Sequence, residues 1–405
     1  MSDTSVVPGY PATRDSRCPF DPAAPVLAMT RENPVGKVRI WDGSTPWFIT
    51  RHADQRALLN DPRISINEKR EGYPHMTRGR AAGAPHHPDL ITNTDPPVHT
   101  RLRRTVNAPF MVKRVEALRP RIREVVDQLV DDMLAGPKPA DLVQAIGLPV
   151  PTLVITQILG APYEDHEFFQ ENSTKAISHE STPDEAATAS RHLGEYLAAL
   201  LQKKMAEPAD DVMSEMGGRV KASEMTFEEA VIMSSAILIA GHETSASMIS
   251  LATLALLRNP DQLALLRERS DDPKFVANAV EELLRYLTIV HTGIRRIANE
   301  DIELHGTTIK AGDGIIFDLS AANWDEQEFP EAGKLDLTRP ARQHHAFGYG
   351  VHQCLGQSLA RVELQVAYST LYRRVPTLAL AVPFEEVAFA MEGVAYGLKT
   401  LPVTW

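Results

Sequence analysis

The chain has 405 residues, of which 43% are hydrophobic, and its formal net charge is −11. This length allows a large core, and the acidic balance argues against a generic nucleic-acid-binding protein. The two cysteines, Cys18 and Cys354, lie far apart and form no CxxC pair. They therefore indicate neither a disulfide framework nor a zinc or iron–sulfur site, and they fit a reducing compartment. The chain lacks an apolar N-terminal segment and any long apolar run, so we expect a cytoplasmic protein without signal peptide or membrane anchor.

The N-terminal quarter predicts short strands, turns and loops. Residues 37–52, KVRIWDGSTPWFITRH, predict a hairpin with an Asp-Gly turn between two segments rich in β-branched and aromatic residues. Residues 53–60 then predict a helix, and residues 61–96 predict an irregular loop. His86 and His87 within this loop suggest a metal site only weakly. No third ligand lies at a suitable spacing, so we interpret them as a solvated pair.

Helical periodicity dominates from about residue 99 to 290, and shorter strand-like segments such as 301–319 follow it. This balance predicts a mainly α protein with small β-sheets. No segment separates two domains cleanly, so we expect a single large domain over residues 1–405. The best linker candidate is GGRVKAS, residues 217–223, and we interpret it as a loop before the next helix.

Residues 226–260 predict the longest helix of the chain. Thr226 and Glu229 form a capping-box pattern at its start, and Asn259-Pro260 predicts its end. The segment between them is apolar nearly all round and would extend about 50 Å, so we expect it to cross the protein interior.

The middle of this helix contains Ala240-Gly241-His242-Glu243-Thr244. A glycine there weakens the helix by roughly 1 kcal/mol relative to alanine. The Thr244 hydroxyl can bond the carbonyl of Ala240 and so bend the helix, which would admit water or a ligand. The plainer interpretation is a packing glycine beside a capped threonine, with Glu243 reaching solvent.

Two charged patterns have both an ordinary and a functional interpretation. Glu282 and Arg285 share one helix face, which usually gives a surface pair of little value. If the pair is buried, it needs a further partner, for which Arg339 is a candidate. Residues 99–123 contain eight Lys or Arg and one Glu. They form either a solvated helix face or a docking surface for an acidic partner.

Cys354 lies in FGYGVHQCLG, residues 347–356, directly before a strong helical pattern. A helix N-terminus favours a thiolate, and the three surrounding glycines allow sharp turns and close approach of a flat group. An inert thiol, a nucleophile paired with His352 and a metal ligand remain possible. An inert thiol needs no glycines, and residues two apart in an extended loop usually point to opposite faces, which weakens the His352 pairing.

FGYGVHQCLG resembles the F-G-x-G-x-H-x-C-x-G haem-binding signature of the cytochromes P450. The segment 240–244 resembles the oxygen-activation motif of that family, and Glu282-Leu-Leu-Arg285 resembles its E-x-x-R motif, both in the family's order. The resemblance covers essentially the whole chain and is greatest to bacterial, actinobacterial-type class I monooxygenases. It implies the cytochrome P450 fold, with haem between the long central helix and the cysteine loop.

The resemblance also assigns roles to individual residues. It makes Cys354 the iron ligand. It makes Arg339 the third member of a structural charge triad with Glu282 and Arg285. It implies that Thr244 and Glu243, beside Ala240 and Gly241, position dioxygen and transfer protons. The implied haem contacts are His99, Arg103, Arg296, His352, Phe347, Gly348 and Gly356. The implied substrate contacts are Ala236, Ala240, Val290, Thr292 and Val394, with the segments 72–94 and 170–185.

By the same resemblance, the protein is a monooxygenase with haem b that hydroxylates or epoxidises a medium-to-large lipophilic molecule, such as a polyketide, statin-like compound or terpenoid. It would take electrons from a separate ferredoxin and an NAD(P)H-dependent ferredoxin reductase. We expect a monomer that binds neither nucleic acid nor membrane. The alternatives are a peroxide-driven peroxygenase or haem dehydratase, a non-enzymatic haem sensor and, most remote, a cysteine–histidine hydrolase.

Overall fold

The computed structural model describes residues 7–177, 181–391 and 395–405. It is mainly helical with small sheets, as predicted. The α-helices are, in chain order, α1 Ala24–Glu32, α2 His52–Leu58, α3 Arg78–Gly83, α4 Val98–Val106, α5 Val112–Ala117, α6 Arg119–Ala135, α7 Pro149–Leu159, α8 His166–Ile177, α9 Pro183–Ala206, α10 Val212–Lys221, α11 Phe227–Arg258, α12 Pro260–Glu268, α13 Pro273–Leu287, α14 Leu319–Asn323 and α15 Gln357–Arg374.

The strands are short. They are β1 Val35–Lys37, β2 Trp47–Ile49, β3 Ile64–Ser65, β4 Ala140–Asp141, β5 Ile294–Ala298, β6 Ile302–Leu304, β7 Thr307–Ile309, β8 Gly314–Phe317, β9 Ala379–Leu380, β10 Phe389–Ala390, β11 Gly397–Leu398 and β12 Pro402–Thr404.

The chain divides into two compact units. Unit 1 comprises residues 1–101, 281–335 and 340–354, and unit 2 comprises residues 102–280, 336–339 and 355–405. Each unit is therefore assembled from segments that are distant in sequence. A single domain over the whole chain stays a prediction.

Unit 1 is built around a five-stranded sheet with the order β1-β2-β8-β5-β3. The predicted hairpin is present, because β1 and β2 pair antiparallel with Val35 opposite Ile49, and Gly43 in the turn has a φ of 86°. Strand β2 then pairs parallel with β8. Successive residues of a strand face opposite sides, so Ile49 and Phe48 enter two separate apolar clusters and both sheet faces are buried.

The segment 61–96 is more ordered than its composition predicts. It contains β3 and α3, and the Thr77 side chain caps α3 by accepting a hydrogen bond from the Arg80 amide. His87 is not a solvated loop residue, because its Nδ1 atom lies 3.0 Å from the buried Glu68 carboxylate. In the described part of the chain, no group of three His, Cys, Asp or Glu side chains could hold a metal ion.

The Glu282–Arg285 pair is buried rather than a surface pair. Arg285 Nε and Nη2 donate to the two carboxylate oxygens of Glu282 at 2.7 and 2.8 Å, and both side chains are 0% exposed. Arg285 Nη1 also donates to the carbonyls of Asn323 and Ala332 at 2.8 and 2.9 Å. Arg339 belongs to unit 2, where its carbonyl accepts a hydrogen bond from Asn278, and its place in a charge triad stays a prediction.

Helix α11 forms the centre of unit 2, where it packs against α7, α9, α10 and α15. The predicted capping box is present, because Thr226 Oγ1 accepts from the Glu229 amide and the Glu229 carboxylate accepts from the Thr226 amide. The helix ends before Pro260, which begins α12. Most of the side chains of α11 are buried, in agreement with its nearly uniform apolar sequence.

The interpretation of residues 217–223 as a loop was wrong. Residues up to Lys221 belong to α10, whose start is capped by the Asp211 carboxylate. Gly217 is needed for packing rather than for a turn, because a Cβ atom at this position would lie 2.8 Å from Met205 Cγ. Sequence composition cannot distinguish a glycine that permits helix contact from one that permits a turn.

We predict that Arg285→Ala lowers the free energy of unfolding by about 3–5 kcal/mol, because it leaves Glu282 buried without its cation. The control is Arg121→Ala, which breaks an exposed pair with Glu124 at the same i,i+3 spacing and should cost less than about 1 kcal/mol. Denaturant unfolding of both variants measures the difference. Equal losses would mean that burial does not control the contribution of this pair.

Candidate active site

The loop before α15 is closed by hydrogen bonds within its own backbone. The Cys354 amide donates to the Phe347 carbonyl at 3.0 Å, and the Gly348 amide donates to the His345 carbonyl at 2.8 Å. Gly348 and Gly350 have φ values of 68° and 76°, which favour glycine, and a Cβ atom at Gly350 would clash with the Leu59 carbonyl. The loop presents Cys354 as an exposed residue outside any disulfide.

Gly356 needs a different explanation from the other two glycines. Its φ is −81°, and within the described residues no atom lies within 4 Å of a Cβ atom built there. Neither backbone strain nor protein packing therefore requires glycine at position 356, two residues after Cys354. The open space at Gly356 fits the close approach of a broad, flat group such as a haem, which is the expectation from the sequence.

Arg296 in β5 is a buried cation with few protein partners. Its side chain donates to the Arg295 carbonyl at 2.7 Å, and its remaining N–H groups have no hydrogen-bond partner in the described part of the chain. Burial, which disfavours the charged form, lowers its pKa to about 10. A buried guanidinium with unused donors is stabilised by an anion, so the residue fits a haem propionate.

Two histidines of unit 1 lie together. The ring centroids of His99 and His352 are 4.2 Å apart, and His352 Nδ1 lies 3.3 Å from the Ile91 carbonyl oxygen. Burial, assisted by the positive charge of Arg296 and by His99, lowers the pKa of His352 to about 4, so its ring is neutral at pH 7. Arg103 lies one turn after His99 in α4. These polar groups suit the predicted propionate contacts.

An accessible stripe of small residues interrupts the buried surface of α11. Ala240 is exposed and Ala236 is partly exposed, and Thr244 lies one turn further along. The predicted bond is confirmed, since Thr244 Oγ1 donates to the Ala240 carbonyl at 2.8 Å. The stripe therefore combines small apolar side chains with one hydroxyl that can act as a donor.

Gly241 and Glu243 belong to the same segment of α11 and differ in environment. A Cβ atom on Gly241 would lie 3.1 Å from Ile155 of α7, so the plainer interpretation as a packing glycine has support and a bend there stays a prediction. Glu243 is partly buried, and burial raises its pKa. No hydrogen bond restrains its carboxyl within the described residues, so it is available to exchange protons.

Sequence reasoning assigned no role to three buried polar residues in or near this segment, Ser245, Glu363 and His242. Ser245 donates from Oγ to Glu363 Oε2 of α15 at 2.7 Å. Burial raises the pKa of Glu363 to about 7, although the hydrogen bond from Ser245 lowers it. His242 is buried with both ring nitrogens unpartnered among the described residues, and burial lowers its pKa to about 4. The sequence signal that could have identified Glu363 is the presence of a glutamate within the apolar pattern of α15.

The predicted substrate contacts fall in separate places. Val290 and Thr292 are partly exposed in the turn between α13 and β5 of unit 1. Val394 lies outside the described residues, as do residues 178–180 of the segment 170–185. The structure thus groups His99, Arg296 and His352 in unit 1, and it groups Ala236, Ala240, Glu243 and Thr244 along α11 in unit 2.

Comparison with known proteins identifies the family. The family model "Cytochrome P450" matches residues 174–375. Cytochrome P450 GfsF from Streptomyces halstedii is 51% identical over 416 residues, and the match covers 100% of both chains. Cytochrome P450 CYP105Q4 from Mycobacterium marinum is 50% identical over 415 residues, again covering 100% of both chains.

Solved structures agree. The crystal structure of GfsF superposes with a TM-score of 0.94 at 51% identity, covering 98% of this chain and 100% of that chain. The structure of mycinamicin VIII C21 methyl hydroxylase MycCI from Micromonospora griseorubida, bound to mycinamicin VIII, gives a TM-score of 0.90 at 39% identity, covering 98% and 100%.

The fold and these matches show that the chain belongs to the cytochrome P450 family, the haem-dependent monooxygenases that combine a small-molecule substrate with O₂ and electrons from redox partners. Within that family it is similar to actinobacterial enzymes. The predicted fold class and family resemblance are confirmed. The helices in the described part of the chain include none with the length and apolar character needed to cross a membrane.

We predict that Arg296→Met has opposite effects on the haem-free and haem-loaded protein. It removes a buried charge from the first, which should unfold at a higher temperature. It removes a charged hydrogen-bond partner from the second, which should lose haem about 10- to 100-fold faster, the equivalent of about 1.5–3 kcal/mol. Thermal unfolding and haem transfer to apomyoglobin measure the two effects.

The matched control is Arg295→Met in the same strand, because Arg295 bonds the Gly293 carbonyl of the protein itself. It should leave haem transfer unchanged. If Arg296→Met also leaves haem transfer unchanged, Arg296 does not bind a propionate.

Proposed function

We propose that this protein is a haem-thiolate monooxygenase in which Cys354 ligates the iron of haem b. It hydroxylates or epoxidises a medium-to-large lipophilic metabolite. The observation that carries the proposal is the glycine loop, closed by its own backbone hydrogen bonds, that exposes Cys354 before α15. When bound, the haem supplies the iron centre at which dioxygen is activated, and a thiolate ligand favours cleavage of the O–O bond.

The chain's contribution on the cysteine side is to hold a thiolate in a fixed position. The hydrogen bonds of Cys354 and Gly348 to the loop carbonyls restrict the loop, so the sulfur needs little reorganisation to bind a metal. Backbone amides near a thiolate reduce its electron donation and so adjust the properties of the bound metal. Phe347, whose carbonyl accepts from Cys354, is part of this restraint.

Charged and polar residues hold the acidic groups of the cofactor. Arg296 offers unused N–H donors, and His352 offers a neutral imidazole whose ring lies against that of His99. Arg103 adds a further cation on α4. We assign these residues to the haem propionates, since charge-assisted hydrogen bonds to carboxylates are stronger than neutral ones.

Thr244 and Glu243 of α11 donate hydrogen bonds and transfer protons. The Thr244 hydroxyl is held by the Ala240 carbonyl in this structure, and we propose that it donates to dioxygen or an ordered water during turnover. Glu243 exchanges protons with solvent, because its carboxyl is partly exposed and has no hydrogen-bond partner among the described residues, and burial raises its pKa. The small side chains of Ala236 and Ala240 leave room for substrate beside these groups.

The relatives' names favour a secondary metabolite as substrate. One relative that is 42% identical is named mycinamicin VIII C21 methyl hydroxylase, and another at 42% is named pentalenic acid synthase. Ala236, Ala240, Val290 and Thr292 give this chain mainly apolar predicted contacts. We propose a macrolide-like polyketide, a statin-like compound or a terpenoid as substrate.

We predict that the reduced protein with carbon monoxide shows the strongly red-shifted Soret band of a thiolate-ligated haem, and that Cys354→Ala loses it. Difference spectroscopy of reconstituted protein measures this directly. Cys18→Ala, at the other exposed cysteine, is the matched control and should keep the band. A band typical of histidine-ligated haem in the wild type would contradict the proposal.

An acidic ferredoxin is the electron donor that the surface of unit 2 favours. Several cations of the segment 99–123 are already paired, including Arg114 with Glu215 and Arg121 with Glu124. Exposed cations without a partner in the described residues are Arg104, Lys113 and Arg123. We therefore propose docking near these three, with an NAD(P)H-dependent reductase completing the chain of electron transfer, and a monomeric, cytoplasmic enzyme.

We predict that Arg104→Glu slows reduction by a ferredoxin at least several-fold at low salt and leaves substrate binding unchanged, because it reverses one charge of the docking surface. Stopped-flow reduction at two ionic strengths measures it. Arg31→Glu, an equal charge change at an exposed residue of α1, should have little effect. Equal reduction rates in all three proteins would place the docking surface elsewhere.

A further inference from the structure

Two side chains near the N-terminus contact the turn that contains two of the predicted substrate contacts. Val290 and Thr292 lie between the end of α13 and the start of β5, and both are partly exposed. Tyr10 and Arg14, which are 5% and 7% exposed, bond or approach the backbone of residues 288–293. All of these residues belong to unit 1. The segment 288–293 is called the β5 turn below.

The β5 turn begins and ends at residues with a left-handed backbone conformation. Thr288 has a φ of 35°, which is rare for a β-branched residue, and Gly293 has a φ of 64°. The Thr288 hydroxyl donates to the Arg285 carbonyl and accepts from Asn323 Nδ2, each at 2.8 Å. A conformation of this kind persists only where the surrounding contacts maintain it. The path of the β5 turn therefore depends on its neighbours.

Arg14 restrains the carbonyl at the start of the β5 turn. Its Nη2 atom donates to the Thr288 carbonyl oxygen at 3.3 Å, and its Nη1 atom donates to the Phe20 carbonyl oxygen at 3.0 Å. A buried guanidinium requires acceptors of this kind, because leaving its N–H groups unbonded away from water is costly. The Arg14 side chain therefore connects the N-terminal segment to the first residue of the β5 turn.

Tyr10 contacts the middle and the end of the same turn. Its hydroxyl donates to Asp318 Oδ2 at 3.1 Å and lies 3.4 Å from the His291 carbonyl oxygen. A Cβ atom at Gly293 would lie 2.9 Å from that hydroxyl oxygen, so the close approach also requires glycine there. The ring of Tyr10 packs against that of Phe48 in β2, with centroids 4.8 Å apart. Tyr10 thus fixes the β5 turn relative to the sheet.

We propose that Tyr10 and Arg14 are positioning residues for substrate selection, which hold the β5 turn so that Val290 and Thr292 present a fixed surface to the substrate. The inference rests on the proposed function, which makes Val290 and Thr292 substrate contacts. Without either restraint the turn adopts further conformations. A bulky ligand that fits one of them binds more weakly, in proportion to the population that is lost. A ligand too small to reach the turn is unaffected.

Hydrogen exchange of the ferric holoenzyme tests whether the two side chains hold the turn. Peptides that cover residues 288–293 should exchange faster in Tyr10→Phe and in Arg14→Met than in the wild type, because each variant loses a contact with a turn carbonyl. Arg17→Met is the matched control for Arg14→Met, since Arg17 is exposed in the same segment and bonds Asp15. It should keep the wild-type exchange. Wild-type exchange in both Tyr10→Phe and Arg14→Met would overturn the proposal.

Azole binding tests whether the restrained turn selects between ligands. The ferric holoenzyme is titrated with imidazole, which needs only the iron, and with clotrimazole, whose three phenyl rings fill the space for substrate. Tyr10→Phe should weaken clotrimazole binding about three- to tenfold, the effect of losing one hydrogen bond, and should change imidazole binding less than about twofold. Tyr368→Phe removes a buried tyrosine bond to the Met248 carbonyl in unit 2 and should leave both affinities unchanged.

A double-mutant cycle tests whether Tyr10 acts through the β5 turn. Val290→Ala alone should weaken clotrimazole binding, because it removes apolar contact area. In the Val290→Ala protein, the further change Tyr10→Phe should cost less than about twofold, because the contact that Tyr10 positions is already lost. The proposal is wrong if Val290→Ala has no effect, if Tyr10→Phe has the same effect in both backgrounds, or if it weakens imidazole and clotrimazole equally.

The carbon monoxide spectrum separates the two levels of failure. If the wild type lacks the thiolate-haem band, the proposed function fails and this inference fails with it. If the band is present in every variant and their clotrimazole affinities are the same, the proposed function stands and only this inference fails.

Discussion

The fully bonded Arg285–Glu282 pair is the interaction on which the order of unit 1 depends. Arg285 also fixes the carbonyls of Asn323 and Ala332. The side chain of Asn323 in turn accepts from the His345 amide at 2.6 Å, and the His345 carbonyl accepts from Gly348. A buried ion pair is costly unless its polar atoms are satisfied, and here those bonds connect α13 to the start of the cysteine loop. The start of the cysteine loop is thus restrained by hydrogen bonds that lead back to Arg285 of α13.

Two other buried ionisable groups, Arg296 and Glu363, contrast with this pair. Arg296 and Glu363 are buried without a charged partner, and burial shifts the pKa of each towards its neutral form. The charges of Arg285 and Glu282 neutralise each other within the protein, whereas those of Arg296 and Glu363 are available to a ligand or a proton. The sign of each is informative, since a buried cation binds an anionic group and a buried acid near neutrality exchanges protons. In each unit, a buried ionisable side chain without a charged partner therefore indicates a functional position: Arg296 in unit 1 and Glu363 in unit 2.

Sequence patterns were reliable where one local interaction decides the outcome. The capping box at Thr226 and Glu229, the hairpin turn at Gly43 and the Thr244 bond to Ala240 all depend on residues close in sequence. Patterns failed where a distant partner decides. Gly217 lies in a helix where a Cβ atom would clash with Met205, and His87 is held by a contact with the Glu68 carboxylate. Composition alone gave both segments the appearance of loops.

The sequence by itself determined the class of protein, because the cysteine motif, the AGHET segment and the E-x-x-R spacing are each local and occur in a fixed order. It also determined which residues have the chemistry to bind a metal, an acid group or a proton. Only the tertiary structure decided the state of those groups. Glu282, Glu243 and Glu363 have the same side chain, yet they are respectively fully paired, partly exposed and buried without a cation. Desolvation and partner geometry depend on contacts between residues far apart in the chain, and a linear pattern does not specify these contacts.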